Sequence, residues 1–341
     1  MKKGLLQALR FMAFLSVGLV LLWLAFRKTD FSKLTEDLKD ADYSWIILSL
    51  VFAIIAFVSR ARRWILLINP LGYKPSLANA YHAVMTGYLA NFAFPRIGEL
   101  SKCVALGRKE KIPVDQLFGT ILIERAFDMI TLLGIMFAVL LTSSDKIADL
   151  LNESIFRPLR EKFSMVFGVT WVMWVALLLV AVASLYIVYR YRKNLRRFKV
   201  FGKIFDVAKG VINGLKSVTS MERKGEFIFH TVLIWFCYAM MTWVVVFAIE
   251  STSDVTFAEG IFLLVIGGLA MSAPVQGGLG VFHYVVSRAL VTLKGVSLED
   301  GLAYAVLTHE SQLIWIAIAG TISFFLIFRK NKENGSEIQE E

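Results

Sequence analysis

Apolar residues in this chain fall in long continuous runs, not in the two-residue alternation of a half-buried strand or the narrow stripe of a soluble amphipathic helix. A helix needs about 20 mostly apolar residues to cross a bilayer. Six runs approach or exceed that length: about Leu9 to Phe26, Tyr43 to Ser59, Leu117 to Leu141, Ser164 to Tyr189, Phe227 to Ile249 and Leu302 to Phe328. Lys2, Lys3 and Arg10 precede the first run, as they would in a secretory leader. Its far end carries Trp23, Phe26, Arg27 and Lys28 in place of a small-residue cleavage site, so it is expected to stay as a span.

Two further apolar stretches are interrupted. One covers 80–106 and is broken by Pro95, Arg96, Gly98 and Glu99. The other covers 260–293 and is broken by Pro274, Gly277, Gly278 and Gly280. Each half is about 12 to 15 residues, or roughly 18 to 22 Å of helix, too short to span alone. Proline removes a backbone donor and clashes with the preceding turn; glycine permits a tight bend. Two re-entrant helical hairpins are the expected solution, with their irregular tips held by protein or a wet cavity. The other solution is a pair of kinked spanning helices, which would raise the span count from six to eight.

Charge assigns sides to the loops. Arg27 to Asp42 holds four basic and five acidic residues, Thr142 to Lys162 four of each, and Glu250 to Glu259 three acids and no base. Arg190 to Glu226 holds eleven bases and three acids. With both hairpins returning to their starting side, every basic cluster faces the cytoplasm, and both termini do as well. Arg60, Arg62, Arg63 and Trp64 then read as cytoplasmic interface anchors. The formal charge of +10 belongs to these loops rather than to a nucleic-acid surface. Hydrophobic residues make up 57% of the chain and charged residues 19%, which excludes an ordinary cytosolic enzyme. Cys103 and Cys237 sit in apolar stretches, forming neither a disulfide framework nor a metal motif.

The order of elements repeats. Lys111 to Arg125 aligns without a gap on Gly295 to His309, placing Val114 on Leu298 and Arg125 on His309. Each half contains two spans, a broken hairpin, a short loop and a span, and the hairpins enter from opposite sides. The expected fold is therefore an all-α integral membrane protein of six full spans and two re-entrant hairpins in an inverted-topology repeat. The first half is residues 1–141, the second 164–328, and 329–341 form a polar cytoplasmic tail.

Ionisable residues at membrane depth are the candidate chemistry, because a charge in lipid is costly and usually faces a polar route or a partner. Glu124 and Asp128 share a helix face, with Arg125 about 100° away. Arg96 and Glu99 lie at the first break, where free amides would add a partial positive end. These five are expected to line one headgroup-binding path, with Arg96 and Arg125 on the phosphate. His309 and Glu310 would serve a gate or the opposite half-site. A neutralised structural cluster is the plainer reading of the same residues. No metal-ligand spacing, nucleotide loop or cofactor motif stands out.

Four stretches in order carry a family resemblance: RARRWILL at Arg60 to Leu67, GYLANFAFPRIGELSK at Gly87 to Lys102, ILIERAFDM at Ile121 to Met129 and SAPVQGGLGVFH at Ser272 to His283. Together they resemble the flippase-like membrane domain of lysylphosphatidylglycerol synthases and their freestanding relatives, over about residues 8 to 328. Pro95, Gly98 and Glu99 match the first hairpin; Pro274, Gly277, Gly278 and Gly280 match the second. Phe282 and His283 occupy the neighbourhood of an acid usual in that family. The resemblance implies movement of phospholipid, including aminoacylated phospholipid, between leaflets of a bacterial cytoplasmic membrane. With only Asn331 to Glu341 after the last span, aminoacyl transfer is not expected. Expected partners are membrane phospholipid and a lipid-modifying enzyme, with no cofactor and no nucleic acid. The competing functions are secondary transport of a small soluble anion, and a non-transporting membrane partner of a cell-envelope enzyme.

Overall fold

The computed structural model describes residues 16–27, 29–94, 96–142, 218–273 and 275–329, besides a few isolated positions. These residues form helices and short connections, with no strand among them. Counting only what is described, the helices are α1 (Ser16–Phe26), α2 (Phe31–Asp40), α3 (Tyr43–Ile68), α4 (Leu77–Ala93), α5 (Gly98–Glu110), α6 (Val114–Thr142), α7 (Lys224–Trp243), α8 (Phe257–Met271), α9 (Val281–Lys294) and α10 (Leu298–Phe328).

Short polar residues start half of them. The Asp30 carboxylate accepts from the Ser32 and Lys33 amides at the head of α2, and Ser76 accepts from Asn79 at the head of α4. Asp42 caps α3; the Ser44 hydroxyl and amide both donate to its carboxylate and hold it below its ordinary range. Reciprocal caps open α8, through Thr256 and Glu259, and α10, through Ser297 and Asp300. The ends of α5 and α9 match: Lys111 and Gly295 each turn left-handed and return an amide to the last helical turn. The next helices begin at Val114 and Leu298, the positions that the sequence alignment pairs.

Among the described residues, three helical stretches are long and apolar enough to cross a membrane: Tyr43–Leu71, Lys224–Ala248 and Leu298–Phe328, of 29, 25 and 31 residues. Each shows an apolar outer face. Ile47, Val51, Ile54, Ile55 and Val58 are exposed on α3, Ile228, Val232 and Phe236 on α7, and Ile314, Ile318, Ile322 and Phe325 on α10. Faces of this extent suit hydrocarbon rather than water. The apolar run Leu117 to Leu141 lies in α6, and the end of the first run lies in α1. The run Ser164 to Tyr189, most of the basic stretch Arg190 to Glu226, and the tail beyond Arg329 lie outside the described residues.

Inside, α3 packs along α7 and α4, while α10 packs on α4, α9 and α2. Ala53, Phe57, Met85 and Ala319 fill the space where α3, α4 and α10 meet. The Tyr304 hydroxyl donates to the Thr242 carbonyl at 2.7 Å and ties α10 to α7.

The two interrupted stretches are helix pairs that fold back: α4 on α5, and α8 on α9. Pro95 and Pro274 lie outside the described residues, but their neighbours meet. The Arg96 guanidinium donates to the Ser272 carbonyl, and α4 packs on the turn at Gln276–Gly278. Arg96 is left-handed (φ 63°), an uncommon state for a residue with a side chain. Gly98 lies against the Gly87 carbonyl and the Asn91 amide, which receives the Gly98 N–H at 2.8 Å. A Cβ at Gly87 would sit 2.8 Å from the Gly98 carbonyl oxygen, so the two backbones touch only because both residues lack one.

Gly87→Ala should therefore force α4 and α5 apart, at a cost of about 1–3 kcal/mol. Thermal unfolding of the purified chain in detergent should show the loss, whereas Gly134→Ala, at a position with nothing within 4 Å, should be neutral or slightly stabilising.

Candidate functional site

Helical spacing gathers the charges. On α3, Arg60 and Arg63 are one turn apart and share a face, while Arg62 projects elsewhere. On α5 the same spacing joins Glu99 to Lys102. On α6 a spacing of four residues joins Glu124 to Asp128 on one face. Packing α3, α5 and α6 together brings these faces to one centre.

Glu124 is that centre. Its Oε1 receives Arg60 Nη2 at 3.0 Å, Arg125 Nη2 at 3.1 Å and Arg63 Nη2 at 3.3 Å, and its Oε2 receives Lys102 Nζ at 2.9 Å. Asp128 sits one turn on: Oδ1 accepts from Arg63 at 2.7 Å, and Oδ2 lies 2.9 Å from Arg125 and 3.3 Å from Arg60. Glu99 closes the other side, 3.1 Å from Lys102 and 3.4 Å from Arg125. Arg60 Nη1 donates to the Tyr238 hydroxyl at 2.7 Å, and Arg63 Nη1 to Thr231 Oγ1 at 3.4 Å, so α7 closes the cluster. Rings cover the cations: Lys102 over Trp64, Arg60 over Tyr88 and Arg63 over Phe227.

Burial is graded across this cluster. The side chains of Arg63 and Glu124 are 0% and 1% exposed, while Glu99 and Arg125 are 34% and 40% exposed. Four cations face three carboxylates, leaving one positive charge over, and the opening lies at Arg125 and Glu99. A sealed floor with an open cationic edge can hold an anionic group in a fixed place. The guanidinium fork fits a phosphate or carboxylate through two donors at once.

The sequence-based assignments need correction here. Arg60, Arg63 and Trp64 are not interface anchors; all three are buried, and Trp64 Nε1 donates to Thr120. Arg62 alone of that group stays at the edge, paired with Glu226 at 2.7 Å. Of the five residues expected to form one path, Glu99, Glu124, Arg125 and Asp128 are joined, while Arg96 turns to the second break. Lys102 and Tyr238 were missed. The spacing of Glu99 and Lys102 marked the lysine; nothing local marked the tyrosine.

A second, smaller cluster forms at the second break. His309 and Glu310 come from α10 and His283 from α9. Glu310 Oε1 lies 3.1 Å from His309 Nδ1 and 3.2 Å from His283 Nε2. His309 Nε2 is 2.8 Å from the Gly277 carbonyl. Gly278 and Gly280 shape the same turn, both at positive φ. Among the described residues no ion pair joins this cluster to the first.

Removing one member of the buried network should leave a charge without its partner. Glu124→Gln or Lys102→Met should cost about 3–5 kcal/mol. Arg125→Ala, at the exposed edge, should cost no more than about 1 kcal/mol. Denaturation of the three variants side by side checks this order.

The family described as lysylphosphatidylglycerol synthase TM region matches residues 11–320, so the chain belongs to that family. It is 24% identical over 306 residues to a protein named Glycosyltransferase AglD from Haloferax volcanii, an overlap of 82% of this chain and 48% of that protein. It is 28% identical over 99 residues to UPF0104 membrane protein MJ1595 from Methanocaldococcus jannaschii, covering 28% of this chain and 30% of that one. The matches thus span about half the first relative and less than a third of the second. No solved structure matches.

Proposed function

We propose that this integral membrane protein carries phospholipid headgroups between the two leaflets while the acyl chains stay in lipid. The observation that carries this reading is the buried cluster around Glu124. Seven ionisable side chains are gathered inside an apolar helical bundle, with one cation in excess and a single graded opening. Charges at such depth are expensive and persist where they serve a polar route. Arg125 stands at the opening and would take the phosphate. Glu99, beside it, would steer a positive headgroup group and hold the arginine when no lipid is bound. Arg60, Arg63, Lys102, Glu124 and Asp128 would keep that edge rigid and charged.

The architecture proposed for this activity is six spans and two re-entrant hairpins in two inverted halves, with both termini in the cytoplasm. The matching left-handed ends of α5 and α9, the aligned starts of α6 and α10, and the contact between Arg96 and Ser272 all support it. Relative movement of the halves would open the site to either leaflet. Transport is proposed without aminoacyl or glycosyl transfer by these residues.

Topology is open to direct measurement. A cysteine placed at Ser253 should react with an impermeant maleimide added outside intact cells, and one at Gly72 should react only after permeabilisation. Cys103 and Cys237 are buried and should give little background. Labelling of the Gly72 position from outside would reverse the orientation.

Transport is tested in vesicles carrying fluorescent phospholipids in one leaflet. Arg125→Lys keeps the charge but loses the fork and should slow transfer about tenfold or more without changing the melting temperature appreciably. Parental rates in this variant for every anionic and zwitterionic lipid would remove Arg125 from the path. Uptake of a soluble anion with no lipid transfer by the parental chain would replace the lipid reading with anion transport.

A further inference from the structure

Glu310 differs from the other deep carboxylates. Arg and Lys partners neutralise Glu124 and Asp128, whereas the ion-pair partners of Glu310 among the described residues are two imidazoles. The hydrogen bonds constrain those rings. A carbonyl oxygen can only accept, so His309 Nε2 must carry a proton toward Gly277. The other nitrogen of a neutral His309 is then a bare lone pair, and it points at Glu310 Oε1 from 3.1 Å. Two acceptors facing each other at that distance require a proton or a metal cation between them. His283 Nε2 converges on the same oxygen from 3.2 Å.

We propose that His283 Nε2, His309 Nδ1 and the Glu310 carboxylate bind a divalent first-row transition metal ion of the zinc type. The three ligand atoms all lie within 4.8 Å of one another. Two of the three separations, 3.1 and 3.2 Å, are close to the edge of a tetrahedron with bonds of about 2.0–2.1 Å. Two imidazoles and one carboxylate form a ligand set that leaves a fourth position for water. Imidazole nitrogens select zinc, cobalt, nickel or iron over magnesium or calcium. The Gly277 carbonyl supplies the outer contact by which a metal-bound histidine is usually held in its tautomer and orientation. Both histidines are almost fully buried, and the Glu310 side chain is 38% exposed, so the carboxylate side provides the entry path. Phe282 stacks on His309 and shields the inner face. The ion would pin the second break to α10 and α9. Sequence spacing concealed this set, because His283 stands on the helix before the one that carries His309 and Glu310, outside any short ligand motif. The proposal does not depend on the lipid-transport reading.

The test uses the full chain, without a histidine tag, purified in detergent. Elemental analysis should find about one zinc per chain, and Co²⁺ added after stripping with chelator should give a saturable visible absorption band that the zinc form lacks. Zinc should also raise the melting temperature of the stripped protein. Glu310→Gln and His309→Gln should each weaken Co²⁺ binding by at least about tenfold, the scale on which even outer contacts act. Should His309→Gln fail to fold, Glu310→Gln, at a partly exposed side chain, carries the comparison. A folded, monodisperse parental chain that holds neither zinc nor Co²⁺ would overturn the proposal and leave the cluster as an imidazolium–carboxylate group. Undiminished binding in Glu310→Gln would overturn it too, by placing the ion elsewhere.

Discussion

A carboxylate buried to 1% exposure cannot keep its charge in an apolar bundle without strong compensation, and the arrangement around Glu124 supplies it from two other helices and its own neighbour. Each compensating cation is itself buried or edge-on, so each needs a second partner. Arg63 finds Asp128 and Thr231, Arg60 finds Asp128 and Tyr238, and Lys102 finds Glu99. Satisfying one ion thus determines how α3, α5, α6 and α7 sit together. Such a network adds little net stability compared with apolar packing of the same volume, but it is severe toward any arrangement that leaves a member alone. Its effect is to specify one packing of helices whose outer faces are all alike and would otherwise slide in lipid.

The hairpins depend on close backbone approach rather than charge. Gly87 against Gly98 lets α4 and α5 touch, and that contact delivers Glu99 and Lys102 to the cluster from the far side of the break. Arg96, at the tip, adopts a left-handed backbone and reaches Ser272. A residue with a side chain holds that conformation only where its surroundings repay it. The first break is therefore tied both to the charge cluster and to the second break, and the latter is tied through Gly277 to His309. Among the described residues these contacts connect the two clusters without an ion pair between them.

Much of this was legible in the residues. Apolar run length identified α3, α7 and α10, because a bilayer of fixed thickness demands it. The breaks were legible because proline and glycine act locally, and the sites where α4 ends and α5 begins follow from them. The i,i+4 spacing put Glu124 and Asp128 on one face, and the cost of charge in lipid marked them as paired. Membership of the family was carried by motifs at the same places.

What the sequence alone determined is the character of each segment: helix, apolar outer face, break, charged patch. It also determined which residues share a face, since helical period is a local property. It did not determine which faces meet. Arg60 and Arg63 beside Arg62 look like one basic cluster at a membrane edge, and only the packing of α3 between α6 and α7 separates two buried arginines from one exposed one. His283 and the pair His309 and Glu310 carry no spacing that joins them; the packing of α9 on α10 does so in three dimensions. Pairing of distant charges is decided by the joint cost of leaving any of them without a partner in apolar surroundings, and that cost exists only once the helices are assembled.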